Sequence, residues 1–164
     1  DNSKAYYYKI STEELIEFNI DDINYTAAMP APSGERFYHG PSVYDKAGNQ
    51  KLTLNEKKTE HSCLGKLANG NDAHFAVAFG EGPQGGCIGN IIAHDLETGE
   101  CFPVISEEQG YDYPKSGTHI SAVAHKNPGW IAASMVGFEE DGQTLLDQEL
   151  VIARVAKGSL RQRD

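Results

Sequence analysis

A chain of 164 residues is long enough for one domain of average size, with a core that needs no staples. Leaving out the 8 tyrosines and counting the 17 glycines, apolar residues are 73 of 164, at the low edge of the globular range, and no stretch approaches the ~20 apolar residues of a membrane helix. A formal charge of −10 repels nucleic acid and anionic membranes at long range and argues against both as partners.

Asp1 opens the sequence without a basic-then-apolar leader, so the chain is expected to be processed or to be part of something longer. Cys63, Cys87 and Cys101 are odd in number and form no C-x-x-C pair, which argues against a structural zinc site. The spacing around the hairpin argues against a Cys87–Cys101 bridge. All three are expected to be small buried hydrophobes.

The elements are short and all-β. Ala5–Ile10 is rich in strand formers and Glu14–Ile20 alternates apolar with polar, which predicts a hairpin. Ser11-Thr12-Glu13-Glu14 resembles a helix capping box, but the period-two run behind it favours a strand. Residues 21–36, with Pro30, Pro32 and Gly34, read as a surface connection. Phe37–Tyr44 reads as one strand broken at Gly40-Pro41, followed by turn chemistry at Asp45–Asn49 and a strand at Lys51–Leu54. Glu56–Glu60 is a charged loop.

Next come Ser62–Leu67, an Asn69-Gly70 turn and Ala73–Phe79, a second hairpin. Gly80–Gly86 is loop. Ile88–His94 and Glu100–Ile105 flank Asp95–Gly99 as a third hairpin. After the long polar loop Ser106–Gly117, strands follow at Ile120–His125, Trp130–Val136 and Leu150–Val155, with a loop at Glu139–Gln143 and a basic tail from Lys157. About ten strands and no helix point to a sandwich, a barrel or a propeller.

A repeat favours the propeller. His61–Gly65, Asn69–Asp72 and His74–Ala78 align with His119–Val123, Lys126–Gly129 and Trp130–Ser134. Each is a strand, a turn and a strand, followed by a loop and a third strand. Serial four-stranded antiparallel units are propeller blades; a β-sandwich is the alternative. The chain, 1–164, reads as a single propeller-like domain. Blade remnants are expected at 1–20 and 37–54, a blade at 61–105 and an incomplete blade at 119–155. Roughly three blades fall short of the typical 4–8, so a homo-oligomer or a further stretch of polypeptide is expected to complete the ring.

His61–Gly65 with Ala68–Asp72 resembles the blade opening of secreted, WD40-like seven-bladed propellers. His119-Ile120-Ser121 with Pro128-Gly129-Trp130 and Ser134 is similar to the next blade of those proteins. Asp147–Leu150 resembles the strand that follows there, and Gly89–Glu100 the generic propeller hairpin. The likeness covers residues 61–155. The group with known chemistry that it resembles is the oligogalacturonate-lyase-like propellers. That resemblance implies a secreted, extracellular or periplasmic protein, an oligo- or polysaccharide partner, and a divalent metal on channel-facing histidines that promotes elimination at a uronate. Cys63 replaces the acidic residue of the blade motif, and no distinctive lyase signature is present.

His61 and His119 are the candidate catalytic and metal-binding pair, with His39 as third ligand and His125 as substitute, because neutral imidazole is a base near neutral pH and a metal ligand. The plain alternative is that they cap strand ends. His74 and His94 read as ordinary strand histidines. Trp130, Tyr111 and Tyr113 are candidate saccharide contacts, though Trp130 equally suits packing between blades. Arg36, Lys66 and Lys126 are the cations available for an acidic sugar. Asn69, Asn71 and Asp72 have oxygens at alternate positions but lack the length of a calcium loop. Gly80–Gly86 is not a phosphate loop, and no G-x-S-x-G elbow occurs. Two functions compete: a metal-dependent polysaccharide lyase, and a non-catalytic platform for binding or assembly.

Overall fold

The computed structural model describes residues 3–20, 29–39, 41–54, 59–78, 91–105, 119–122, 128–138 and 145–155. Among these there is no helix, and so none long and apolar enough to cross a membrane. Among the described residues thirteen strands form four small antiparallel sheets. β1 (Ser3–Lys9) and β2 (Glu14–Ile20) make a lone hairpin. Sheet I runs β3 (Met29–Pro30), β4 (Arg36–His39), β5 (Ser42–Asp45) and β6 (Gln50–Thr53) in that order. Sheet II is β7 (Thr59–Lys66), β8 (Asp72–Ala78), β9 (Ile91–Asp95) and β10 (Cys101–Ile105), again a simple meander. Sheet III has three strands, β11 (His119–Ala122), β12 (Trp130–Phe138) and β13 (Leu145–Arg154).

Several expectations need correction. The connection at 21–36 contains a strand, β3, and its Pro30 pairs at the sheet edge, where a missing N–H is tolerated. Phe37–Tyr44 is not one broken strand but two, β4 and β5, paired antiparallel from Arg36↔Asp45 to His39↔Ser42. The stretch 37–54 therefore belongs to a complete four-stranded sheet. Cys101 is disulfide-bonded, not a buried hydrophobe. Cys63 carries no disulfide and is half-buried, and Cys87 lies outside the described residues. The loops at 80–86, 106–117 and 139–143 also lie outside them.

Sheets I and II share a turn chemistry. In the β5–β6 turn Asp45 accepts backbone N–H bonds from Ala47 and Asn49 at 2.9 Å, and Gly48 takes φ 83°. In the β9–β10 turn Asp95 accepts from Glu97 at 2.8 Å and Thr98 at 3.3 Å, and Gly99 takes φ 76°. An aspartate that turns the chain back on its own N–H groups thus closes the third hairpin strand of each sheet.

Sheet II lies between the other two. Strand residues alternate between faces, and both faces of β8 and β9 are buried. Ala73, Phe75, Val77, Ile91 and Ala93 form one apolar cluster with Ile131, Ala133 and Val155 from sheet III and its end. The opposite face turns His74 toward sheet I, where Tyr38 stacks on it. Tyr38, Val43, Leu54 and Ala31 cluster there with Leu96 from the β9–β10 turn.

Candidate functional site

The seam between sheets I and II is the polar one. Tyr38 and His74 are fully buried, and their rings stack at 3.9 Å between centroids. His74 faces its strand partner His94, also fully buried, across 6.2 Å. At the same end of the strands Asp72, 2% exposed, accepts hydrogen bonds from the Ser33 backbone N–H at 3.2 Å and from the Ser33 hydroxyl. Lys66 Nζ stands 3.3 Å from the same carboxylate. The Tyr38–His74 stack and the Ser33–Asp72 hydrogen bonds hold sheet I to sheet II, while His74–His94 and Lys66–Asp72 are contacts within sheet II.

Beside that seam is a surface groove of about 370 Å³ lined by Glu35, Arg36, Asp45, Lys51, Leu52, Leu96 and Glu97. Its charges answer one another. Arg36 pairs with Glu97 at 2.8 Å, and Lys51 with Asp45 at 2.8 Å. The hydrogen bond from Lys51, then the N–H groups of the turn, hold the Asp45 carboxyl well below the usual carboxylate range. Arg36 and Lys66, the expected cations for an acidic sugar, are both committed to carboxylates of this chain. The Arg36–Glu97 pair is partly exposed, and such a pair is worth at most about 1 kcal/mol.

The predicted histidines occupy different settings. His39 ends β4, 6% exposed, with no hydrogen-bond partner on Nδ1; burial pushes its pKa down. His61 is exposed and lies at the bulge of β7, not at the strand's start; it holds a left-handed φ of 47° that few non-glycine residues adopt. His119 does open β11, paired with Ser134, and the setting of its ring lies outside the described residues. Among the described residues no group of three His, Cys, Asp or Glu is placed to hold a metal ion. Tyr111, Tyr113, His125 and Lys126 lie outside the described residues.

Trp130, expected to pack between blades or to meet a saccharide, is 38% exposed on sheet III. It pairs with Arg154, whose guanidinium carbon is 5.9 Å from the ring centroid, a cation–π arrangement. The same register puts Ile152 opposite Ala132 and Leu150 opposite Ser134. Leu150 is 74% and Ile152 62% exposed. One face of sheet III is therefore apolar and open, while its other face, through Ile131, Ala133, Val151 and Ala153, is packed on sheet II. Sequence reasoning missed this surface. The signal was the alternation of β13 itself, Leu150, Ile152 and Arg154 against Val151 and Ala153.

Sheets II and III dock closely at Gly129. Gly129, at φ 85°, donates its N–H to the Lys66 carbonyl. A Cβ there would stand 2.8 Å from the Val155 carbonyl oxygen and 3.0 Å from Ala68 N, so only glycine lets the two turns meet. No family model, curated protein or solved structure matches the chain.

Proposed function

We propose that the chain is a propeller-type array of blades and acts as a non-catalytic assembly platform, with the open face of sheet III as its docking surface. The observation that carries this reading is that face: Leu150, Ile152 and Trp130 lie exposed together on one side of a three-stranded sheet whose other side is core. Contiguous exposed apolar surface on a folded chain marks an interaction site. The blade reading rests on the meander topology of sheets I and II, four antiparallel strands each in sequence order, which is the construction of propeller blades. The disulfide at Cys101 supports action in an oxidising, extracellular or periplasmic space.

The competing reading is a saccharide lyase. Trp130 beside Arg154 favours it, since an aromatic face next to a guanidinium suits an acidic sugar. The platform reading is tested with a hydrophobic dye, anilinonaphthalene sulfonate, on dilute protein. Fluorescence is expected to rise with the wild-type chain and to fall when Ile152→Glu places a charge on the face. A dye signal that Ile152→Glu leaves unchanged overturns it. Release of an ultraviolet-absorbing unsaturated product from uronate oligomers replaces it with the lyase.

A further inference from the structure

β13 ends as β5 and β9 end. In sheet I Arg36 pairs with Asp45, and the next N–H, that of Lys46, donates to the Glu35 carbonyl at 3.1 Å. In sheet II Ala73 pairs with Asp95, and the Leu96 N–H donates to the Asp72 carbonyl at 2.9 Å. In sheet III Trp130 pairs with Arg154, and the Val155 N–H donates to the Gly129 carbonyl at 2.8 Å. Asp45, Asp95 and Arg154 are thus one position in three sheets of the same construction.

In two of the sheets the chain goes on to an outer strand. After Asp45 it turns through Gly48, at φ 83°, and returns as β6. After Asp95 it turns through Gly99, at φ 76°, and returns as β10. In sheet III the description stops at Val155, and among the described residues β13 is the edge of its sheet. Such an edge presents a row of N–H and C=O groups that templates another strand.

We infer that residues 159–163 return along β13 as the fourth strand of sheet III. Gly158 follows Arg154 at the spacing that separates Gly99 from Asp95, and the left-handed turn position there favours glycine. The two complete sheets also agree on the register. Val43 pairs with Leu52 and Ser42 with Thr53; Ala93 pairs with Phe102 and Ile92 with Pro103. Counted from Asp45 or from Asp95, both patterns place Arg161 opposite Ile152 and Gln162 opposite Val151. A polar outer strand is enough in this fold, since β6 is Gln50-Lys51-Leu52-Thr53. Leu160-Arg161-Gln162-Arg163 is of that kind, and its charges discourage a further strand from adding. Paired residues share a face, so Arg161 joins Arg154 on the side that carries Ile152 and Trp130. The inference rests on the blade reading and not on the docking role of that side.

The test is residue-resolved amide hydrogen exchange on the whole chain and on a chain stopped after Val155. Alternate N–H groups of β13 point to β12, and the others point away. In the whole chain both sets are expected to be protected. In the shortened chain the outward set is expected to lose protection while the set facing β12 keeps it. Gly158→Val is expected to weaken the outward set with no residue removed. A cross-strand nuclear Overhauser contact is expected between residues 152 and 161. Outward amides that exchange freely in the whole chain, outward protection that survives shortening, or a contact of residue 152 with a different residue of that stretch overturns the inference. Free exchange of the set facing β12 in the whole chain removes sheet III itself, and the blade reading with it.

Discussion

Sheet II turns two unlike faces to its neighbours. Toward sheet III it offers Ala73, Phe75, Val77, Ile91 and Ala93, and the seam closes on aliphatic and aromatic carbon. Toward sheet I it offers His74 and His94, and that seam closes on a ring stack with Tyr38, the Ser33–Asp72 hydrogen bonds and the Arg36–Glu97 pair at the rim. The apolar seam gains stability in proportion to the area taken from water. The polar seam gains less per contact, because each buried polar group first loses its water, but it admits one alignment of the sheets. One seam supplies adhesion and the other supplies register.

The largest effect is expected at the apolar seam. Phe75→Ala should destabilise the chain by about 3–5 kcal/mol through lost transfer energy and the cavity left behind. Ile152→Ala, on the open face of the neighbouring sheet, should shift stability by less than about 0.5 kcal/mol in the monomer. Urea unfolding of dilute samples measures both. Equal losses would mean that the sheet III face is covered.

A smaller contrast separates two glycines. Gly129→Ala meets backbone atoms of Ala68 and Val155 as well as a left-handed φ, which adds about 1–3 kcal/mol of overlap to about 1–2 kcal/mol of backbone strain. Gly70→Ala has the same kind of φ, 90°, but nothing within 4 Å of the added carbon, so only the backbone term applies. Matched losses in the two variants would show that the turns of sheets II and III do not dock as described.

The smallest effect is a pH slope in sheet I. Burial lowers the pKa of His39 in the folded chain. The unfolded chain therefore binds the proton first, near the reference pKa of ~6.5. The stability that neutral His39 allows is present above that pH and is lost as pH falls from there toward the lower folded pKa. Urea midpoints should decline as pH drops below about 6.5, and His39→Gln should flatten the decline. An identical slope in the variant would assign the acid sensitivity elsewhere.

Local chemistry made much of the fold legible. Asn69-Gly70 announces its hairpin, and Gly70 takes the positive φ that such a turn requires. The alternation in Glu14–Ile20 identifies β2 against a competing helix signal. What the sequence hid was long-range or very short. β3 is two residues long, and one of them is Pro30, too little to show a period. The β4–β5 hairpin looked like an interrupted strand because its tight turn falls inside an aromatic run. The Asp45 turn and its repeat at Asp95 were the available sign that 29–53 and 59–105 form the same kind of sheet. The stack of Tyr38 on His74 joins residues from different sheets, and no local pattern encodes such a meeting. The same holds for His61 and His119, whose resemblance-based pairing depends on how whole sheets are set side by side.

Among the described residues, the polar ties between sheets gather at one end of the strands. Ser33 reaches Asp72 there, Arg36 reaches Glu97, and Gly129 reaches Lys66. The sheets are fastened like pages to a spine. A bound margin limits where the chain can accept new sequence. An added residue in the 67–70 turn would displace Lys66 and Ala68 from Gly129 and disturb two sheets at once. Within the described residues, His39 and Ser42 pair at the other margin, where the chain passes from β4 to β5. Lengthening the chain there would disturb one hairpin only, so new recognition loops are best grafted at the unfastened edge.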